Sequence, residues 1–408
     1  MILKKEEEMK FSVATNWDDN LIREIENLNS EHKVTEIFGK LASDFVGGGR
    51  ASLALPHPSK RQVRRHIQEA HKHGLKFNYL LNASCLDNQE FTISGQREIH
   101  KLLDWLGDLK VDVVTVSIPY LLQLIKRQYP QFKVCISIMS QVNTPQRAKY
   151  WQDLGADIIT LYSIDVTRDF PILRAIRKRV NCELQLIANN GCLLNCPFTQ
   201  YHGVIVSHAS QSTHKKQGFE FYYCMLNCRL FRLTDPVNFL RSDWIRPEDA
   251  RYYEEVGINR IKLTERVSTT ELISQVVKAY TEGRYDGNLA DIIPSLSQRT
   301  LVRKKKRTVL INSLRYLFHP FSVNIFRLFK SLRAFSTIDV YIDNRALDGF
   351  LEHFFNENCN GKSCEECGYC KEIAKKAIKI DEDYRKRIIA QYKNLLDELV
   401  SSKMFKYI

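Results

Sequence analysis

The sequence predicts an α/β protein: an eight-stranded (β/α)8 TIM-like barrel with a small C-terminal cysteine-rich α-helical extension. Three observations lead there. Short β-rich runs alternate with longer helical patterns from Phe11 to Thr264, the rhythm of parallel strands joined by crossover helices. Eight such runs can be counted, the number that closes a barrel of this kind. Polar residues collect just after the runs, at the strand ends where such a barrel places its chemistry.

The predicted strands are residues 11–15, 34–38, 77–82, 111–117, 133–140, 157–162, 183–188 and 260–264. Between them, segments such as 60–73, 96–109 and 146–154 carry charged and apolar residues at helical spacing. A doubly wound open sheet is the competing architecture. It lacks local support, because no G-x-G-x-x-G turn follows the first strand. The expected organisation is a barrel over residues 1–290, a basic aromatic linker or subdomain over 291–345, and a cysteine-rich helical segment over 346–408.

With 408 residues, 44% hydrophobic and 26% charged, the chain has the composition of a soluble globular protein with a sizeable core. No apolar run approaches the roughly 18 residues that span a bilayer. The opening Met1-Ile-Leu-Lys-Lys-Glu-Glu-Glu-Met9 lacks the apolar core of a signal peptide, and Met9 is an alternative start. A cytoplasmic location is therefore expected, with eleven cysteines reduced, buried or metal-bound. A net charge of +13 favours anionic partners: nucleic acid, a membrane surface or a carboxylated small molecule.

The polar strand ends, in order, are Asn16 and Asp18, Lys40 and Asp44, Asn82 and Ser84, and Ser137, Ser140 and Gln141. Tyr162 and Ser163, Asn189 and Asn190, and Glu265 and Arg266 complete them. After the second strand comes Gly47-Gly48-Gly49-Arg50. Its glycines let backbone approach a ligand and its arginine suits a carboxylate or phosphate. A flexible surface loop is the plainer alternative.

The seventh strand leads through Asn189-Asn190-Gly191 into Cys192-Leu-Leu-Asn-Cys196, and Cys224-Met-Leu-Asn-Cys228 follows. Two matched C-x-x-x-C pairs point to a metal centre, and soft thiolates suit zinc or iron–sulfur iron. Cys85, Cys135 and Cys182 stand alone in or beside apolar segments and read as ordinary buried thiols. A radical S-adenosylmethionine enzyme would need C-x3-C-x2-C, but the third position is Thr199. A zinc hydrolase would draw on His202, His208 and His214, which lie in the predicted loop between the pairs. With four thiolates nearby, a cluster is the more economical account. His202 and His208 then become candidates for proton transfer or substrate contact, grouped with Asn189 and Asn190 as the catalytic candidates.

Beyond residue 291 the composition changes. Arg303-Lys-Lys-Lys-Arg307 opens a stretch through residue 335 with no acidic residue and five interleaved phenylalanines. It suits nucleic acid or an anionic membrane, or equally a solvated linker. A short strand is expected over 340–343. Cys359, Cys364, Cys367 and Cys370 are spaced C-x4-C-x2-C-x2-C, which suggests a second cluster or a structural zinc. A helix over 371–400 closes the chain.

Six stretches stand out together: Ser12-Val-Ala-Thr-Asn16, Val34-Thr-Glu-Ile-Phe-Gly39, Gly47-Gly-Gly-Arg50, Asn143-Thr-Pro-Gln-Arg147, Leu154-Gly-Ala-Asp157 and Asn189-Asn-Gly-Cys192. With the downstream cysteines, they resemble the collagenase-like peptidases of family U32. The chain shows neither G-x-S-x-G nor H-E-x-x-H, so familiar protease machinery is not visible. The resemblance implies instead an iron–sulfur protein that hydroxylates RNA bases or small aromatic substrates without oxygen, taking the hydroxyl from prephenate. By that resemblance Cys192, Cys196, Cys224 and Cys228 hold a 4Fe-4S cluster, with a paralogue or electron donor as a possible partner. A dicarboxylate donor needs cationic clamps, for which Arg50, Arg246 and Arg266 are candidates. Asn16 and Asn82 are the accompanying polar contacts. Peptide hydrolysis and a non-enzymatic RNA-binding role with structural metals are the alternatives.

Overall fold

The computed structural model describes residues 8–52, 55–218, 220, 222–297, 338–357, 359 and 363–405. All eight predicted strands form. They are β1 (Lys10–Ala14), β2 (Val34–Gly39), β3 (Lys76–Leu81), β4 (Val113–Val116), β5 (Lys133–Ile136), β6 (Ile158–Thr160), β7 (Glu183–Ile187) and β8 (Arg260–Leu263). Neighbours in sequence pair in parallel, and β1 pairs with β8 through Phe11↔Ile261 and Val13↔Leu263, closing the barrel. The fold is the (β/α)8 TIM-like barrel. β5 stops short of its predicted end because Ser137 caps a tight turn, accepting from Met139 N at 3.3 Å.

The outer helices are α1 (Asp19–Leu28), α2 (Lys60–Lys72), α3 (Ile93–Asp108), α4 (Pro119–Gln128), α5 (Pro145–Asp153), α6 (Ser163–Val166) and α7 (Phe170–Arg179). After β7 come α8 (Thr199–Ser210), α9 (Tyr223–Thr234) and α10 (Ala250–Glu255), and after β8 comes α11 (Thr270–Glu282). Local chemistry sets their starts. Asp18, Thr92, Thr144, Asp169 and Thr269 each accept a first-turn amide, and Ser59 with Gln62 forms a reciprocal capping box. Apolar side chains three and four apart, such as Val63, Ile67 and Ala70 of α2, face the barrel and are buried.

The barrel interior holds a belt of polar side chains that visits every strand. Ser12 donates to Glu36 (2.5 Å), Asn78 donates to Glu36 (3.1 Å), and Thr115 donates to Asn78 (2.7 Å). On the far side Cys135 lies 3.6 Å from Thr160, Gln185 donates to Thr160 (2.9 Å), and Arg260 donates to Gln185 (3.0 Å). Arg260 Nη2 then meets Glu36 Oε2 at 2.6 Å and joins the two arcs across β8 and β2. Burying one ion pair is tolerable here because hydrogen bonds satisfy its remaining polar edges.

The chain divides into two compact units. The barrel unit is Met1–Glu220, Asp243–Tyr285 and Gly349–Ser363; the second is Phe221–Ser242, Asp286–Asp348 and Cys364–Ile408. This differs from the expected boundaries at 290 and 345. Residues 349–363 belong with the barrel because the helix Phe350–Asn356 brings Phe350 to 5.7 Å from Trp244 and Phe355 to 4.9 Å from Phe170. In the second unit, Glu382–Val400 packs on α9, and Arg229 donates to Tyr392 OH at 2.6 Å. The expected short strand is β9 (Tyr341–Ile342), antiparallel to β10 (Ile378–Lys379).

Two expectations are corrected. The single helix over 371–400 is two, Tyr369–Ala377 and Glu382–Val400, because β10 intervenes and Asp381 caps the second by accepting from Tyr384 N at 2.7 Å. The loop carrying His202 and His208 is the helix α8. The basic aromatic stretch 303–335 lies outside the described residues.

Candidate active site at the barrel mouth

After β2 the chain turns across the C-terminal mouth of the barrel. Lys40 is buried there, with Nζ 3.0 Å from Asp44 Oδ2. The same carboxylate accepts from Tyr79 OH (3.0 Å) and from Gly47 N (2.6 Å), while Leu41 N donates to the Tyr79 oxygen (3.1 Å). Burial lowers the Lys40 pKa while Asp44 opposes that shift. Burial, then the Asp44 charge, hold the Tyr79 phenol well above its ordinary value. Tyr79 is therefore a fixed donor at neutral pH.

The glycine loop is packed in place. Gly47 has φ of +79°, and a Cβ there would sit 2.9 Å from Ser210 Oγ. At Gly48 a Cβ would meet Asn82 Oδ1 at 2.7 Å. Only glycine permits both the backbone conformation and the approach. Gly48 N donates to Ser210 Oγ (2.7 Å) and Gly49 N to Asn82 Oδ1 (3.3 Å), while Asn82 Nδ2 donates to Ser137 Oγ (3.1 Å). Ser210 comes from α8, so this helix braces the loop that carries Arg50.

Arg50 Nη2 lies 2.6 Å from Glu265 Oε1. Glu265 has φ of +96°, which a side chain of this type rarely adopts. Next to it Arg266 is only 5% exposed, and its Nη1 has no hydrogen-bond partner among the described residues. Burial first, and the nearby Arg50 second, push its pKa down to about 9, still protonated at neutral pH. Three cations (Lys40, Arg50, Arg266) thus face two carboxylates (Asp44, Glu265). Among these five described residues the cations outnumber the carboxylates by one, and the open Nη1 belongs to Arg266.

Other predicted site residues have structural duties. Asn189 is buried; it accepts from Thr264 N (2.6 Å) and donates to Thr264 O (3.3 Å), clamping the end of β7 to that of β8. Asn190 donates to Asp243 (3.0 Å). Asn16 donates to Ser268 O (3.2 Å) and Thr270 Oγ1 (3.1 Å). Arg246 forks onto Asp249 at 2.8 and 3.0 Å. His202 is exposed, 3.5 Å from Glu220, and His208 stacks on His214 with centroids 4.3 Å apart. Among the described residues, neither His202 nor His208 bonds to Lys40, Asp44, Arg50 or Arg266.

Asp243 is a positioning residue that the sequence did not reveal. Fully buried, it accepts from Cys192 N (2.6 Å), Ser163 Oγ (2.7 Å) and Asn190 Nδ2 (3.0 Å), fixing the start of the first cysteine pair. Cys192 and Cys196 lie in the barrel unit beside Tyr162. The phenol of Tyr162 is pushed up to about 12, mainly by burial, with both thiols acting in the same direction. Cys224 and Cys228 stand one turn apart on α9 of the second unit, and Arg232 Nη1 donates to Cys228 Sγ at 3.2 Å.

Cys359 is exposed in the last segment of the barrel unit. In the second unit Cys364 and Cys367 are exposed and Cys370 is half-buried. Among the described residues, no group of three or more His, Cys, Asp or Glu side chains is gathered so as to hold a metal ion. Cys135 is fully buried and Cys182 half-buried, and burial raises both thiol pKa values, the second to about 11. Neither is a reactive thiolate.

Residues 47–194 match the model of peptidase family U32. An uncharacterized protease of Methanocaldococcus jannaschii is 31% identical over 337 residues, which is 83% of this chain and 87% of that protein. The chain belongs to peptidase family U32. A solved U32 peptidase structure aligns with a TM-score of 0.46 and 22% identity, covering 64% of this chain and 94% of that one. In this U32 protein the family-matched span opens at Gly47 and takes in Arg50, Asn82, Asn189 and Cys192. Arg266 and the second cysteine pair lie beyond it. Among the described residues, no helix is long and apolar enough to cross a membrane.

Proposed function

We propose that this U32 member is an iron–sulfur-dependent modifying enzyme that binds a small carboxylated substrate at the barrel mouth. The observation that carries the carboxylate site is Arg266, a buried guanidinium whose Nη1 lacks a partner among the described residues. An unpaired buried charge is destabilising, and a guanidinium matches a carboxylate through two parallel hydrogen bonds. Arg50 supplies a second grip at the rim, held meanwhile by Glu265. Tyr79 and the Lys40–Asp44 pair fix the floor. A dicarboxylate of the prephenate type uses both arginines. The acceptor is RNA or a small aromatic or peptide substrate, in keeping with the +13 charge.

The donor set suits iron–sulfur ligation, since all the candidate ligands are thiols. Cys192 and Cys196 would be the barrel unit's ligands, and Cys224 and Cys228 are the candidates in the second unit. The cluster would supply electron transfer or an open iron. Cys359, Cys364, Cys367 and Cys370 are candidates for a second cluster or a zinc. Iron and acid-labile sulfide in anaerobically purified protein test this reading. About four irons per cluster are expected, lost in Cys192→Ala/Cys196→Ala. Zinc alone would overturn it.

Peptide hydrolysis is the second reading, favoured by family membership and by the protease name of the archaeal relative. A Thr–His–Asp chain among the described residues offers it little. Thr15 Oγ1 lies 2.7 Å from His66 Nε2, and His66 Nδ1 lies 3.2 Å from Asp19, but Thr15 and His66 are fully buried. Metal-dependent cleavage of gelatin, abolished by a chelator, would favour this reading over modification.

A further inference from the structure

β8 carries another cation one inward position beyond the polar belt. Lys262 follows Arg260 on the inner face, is 7% exposed, and places its Nζ 3.9 Å from the centroid of the Phe38 ring. Its ammonium makes no hydrogen bond or ion pair among the described residues. Phe38 packs with Ala14 and Leu80, so the amine sits against an apolar wall. Arg266, four residues further along, acts on it electrostatically from the mouth. Among the described residues the amine is buried, makes no hydrogen bond and is engaged only by the Phe38 ring face, a desolvated setting of the kind that nucleophilic lysines occupy.

We propose that Lys262 is a nucleophilic amine that condenses with the carbonyl carbon of a 2-oxo acid whose carboxylate is held by Arg266. The inference rests on the carboxylate site described above and adds a covalent step to it. Lys40 is not the amine, because its Nζ is engaged by Asp44 at 3.0 Å. Burial lowers the Lys262 pKa to about 8, against the pull of Cys135 and Glu36, so a useful fraction is neutral near pH 7 to 8. The neutral nitrogen forms a bond to the carbonyl carbon while the C=O π pair moves to oxygen, which takes a proton. That proton comes from the attacking nitrogen; a second, from solvent, lets the nitrogen lone pair expel the oxygen as water, and a protonated imine remains. One C–N double bond replaces one C–O double bond, one water leaves, and no oxidant or reductant is needed. The resulting cationic imine is an electron sink for chemistry at the carbon next to it.

The test uses the full chain with pyruvate as probe and sodium borohydride as trap. Intact mass and peptide mapping should show one reduced pyruvyl adduct per chain, located on Lys262. The adduct should vanish in Lys262→Arg, which keeps a charge but has no primary amine, and fall at least tenfold in Arg266→Gln. Lactate, which lacks the carbonyl, should give no adduct. Lys262→Met, melted beside wild type, confirms that loss of the side chain leaves the fold intact. Calorimetry with pyruvate runs in parallel. Binding without an adduct on Lys262, or an adduct that survives Lys262→Arg, would overturn the imine and leave the carboxylate site standing. Neither binding nor adduct would remove both.

Discussion

Arg50 Nη2 stands 2.6 Å from Glu265 Oε1, joining the glycine loop after β2 to the strained residue that ends β8. A φ of +96° at a glutamate stores on the order of 1–3 kcal/mol. The neighbouring packing must hold it there. The pair keeps one cation engaged while the other, Arg266, is left with an open edge.

Replacing Glu265 with Gln removes a negative charge from beside both arginines. Carboxylate affinity should then rise by roughly 5- to 10-fold, since about 1.4 kcal/mol corresponds to tenfold. Titration calorimetry reads this directly. Weaker binding would mean that Glu265 orients Arg50 for the ligand instead of competing with it.

The belt predicts a heavy penalty for breaking its ion pair. Glu36→Gln leaves Arg260 buried without its 2.6 Å partner. Such a loss is worth about 3–5 kcal/mol, measurable as a lowered midpoint in urea. An unchanged midpoint would show that Glu183, 3.4 Å from Arg260, suffices alone.

Lys262 makes stability depend on pH. Its folded pKa of about 8 lies below the ordinary 10.5, so between these values the folded state binds fewer protons than the unfolded chain. Its contribution is therefore most unfavourable below pH 8, and stability rises with pH through the window up to 10.5. Lys262→Met should be more stable than wild type at pH 7, by on the order of 3 kcal/mol, with the gap closing toward pH 10.5. Parallel curves at all pH values would contradict the assignment.

Asp243 should govern the first cysteine pair. Asp243→Ala removes the acceptor of Cys192 N, Ser163 Oγ and Asn190 Nδ2, a loss of about 2–4 kcal/mol for a buried charged acceptor. Iron retention after anaerobic purification should fall with it. Full retention would separate Asp243 from the metal reading.

The barrel was legible because eight β-rich runs alternate with segments of helical spacing such as 60–73, 96–109 and 146–154, and the helices α2, α3 and α5 form over those segments. Lys40, Asp44, Asn82, Glu265 and Arg266 were found because strand ends are readable once strands are. Helix α8 was not. Its Gly203 and the β-branched run Val204-Ile-Val206 are poor helix formers, and it is held by Ser207 and Ser210 against the loops after β2 and β3. Tyr79 was hidden inside an apolar strand, where nothing local marks its contact with Asp44. The belt also escaped, since Glu36, Gln185 and Arg260 meet only when the barrel closes. Asp243 lies in a loop whose sequence carries no motif, and its partners are 51 to 80 residues away.

The most direct measurement is calorimetric titration of anaerobically purified protein with prephenate at pH 7, wild type beside Arg266→Gln. The variant also loses an unpaired buried charge, so its unliganded form should be more stable by about 1–3 kcal/mol, which excludes misfolding as the cause of weak binding. The account predicts saturable binding to wild type and at least a tenfold loss in Arg266→Gln. Equal affinity in the two proteins would contradict a carboxylate site at the barrel mouth.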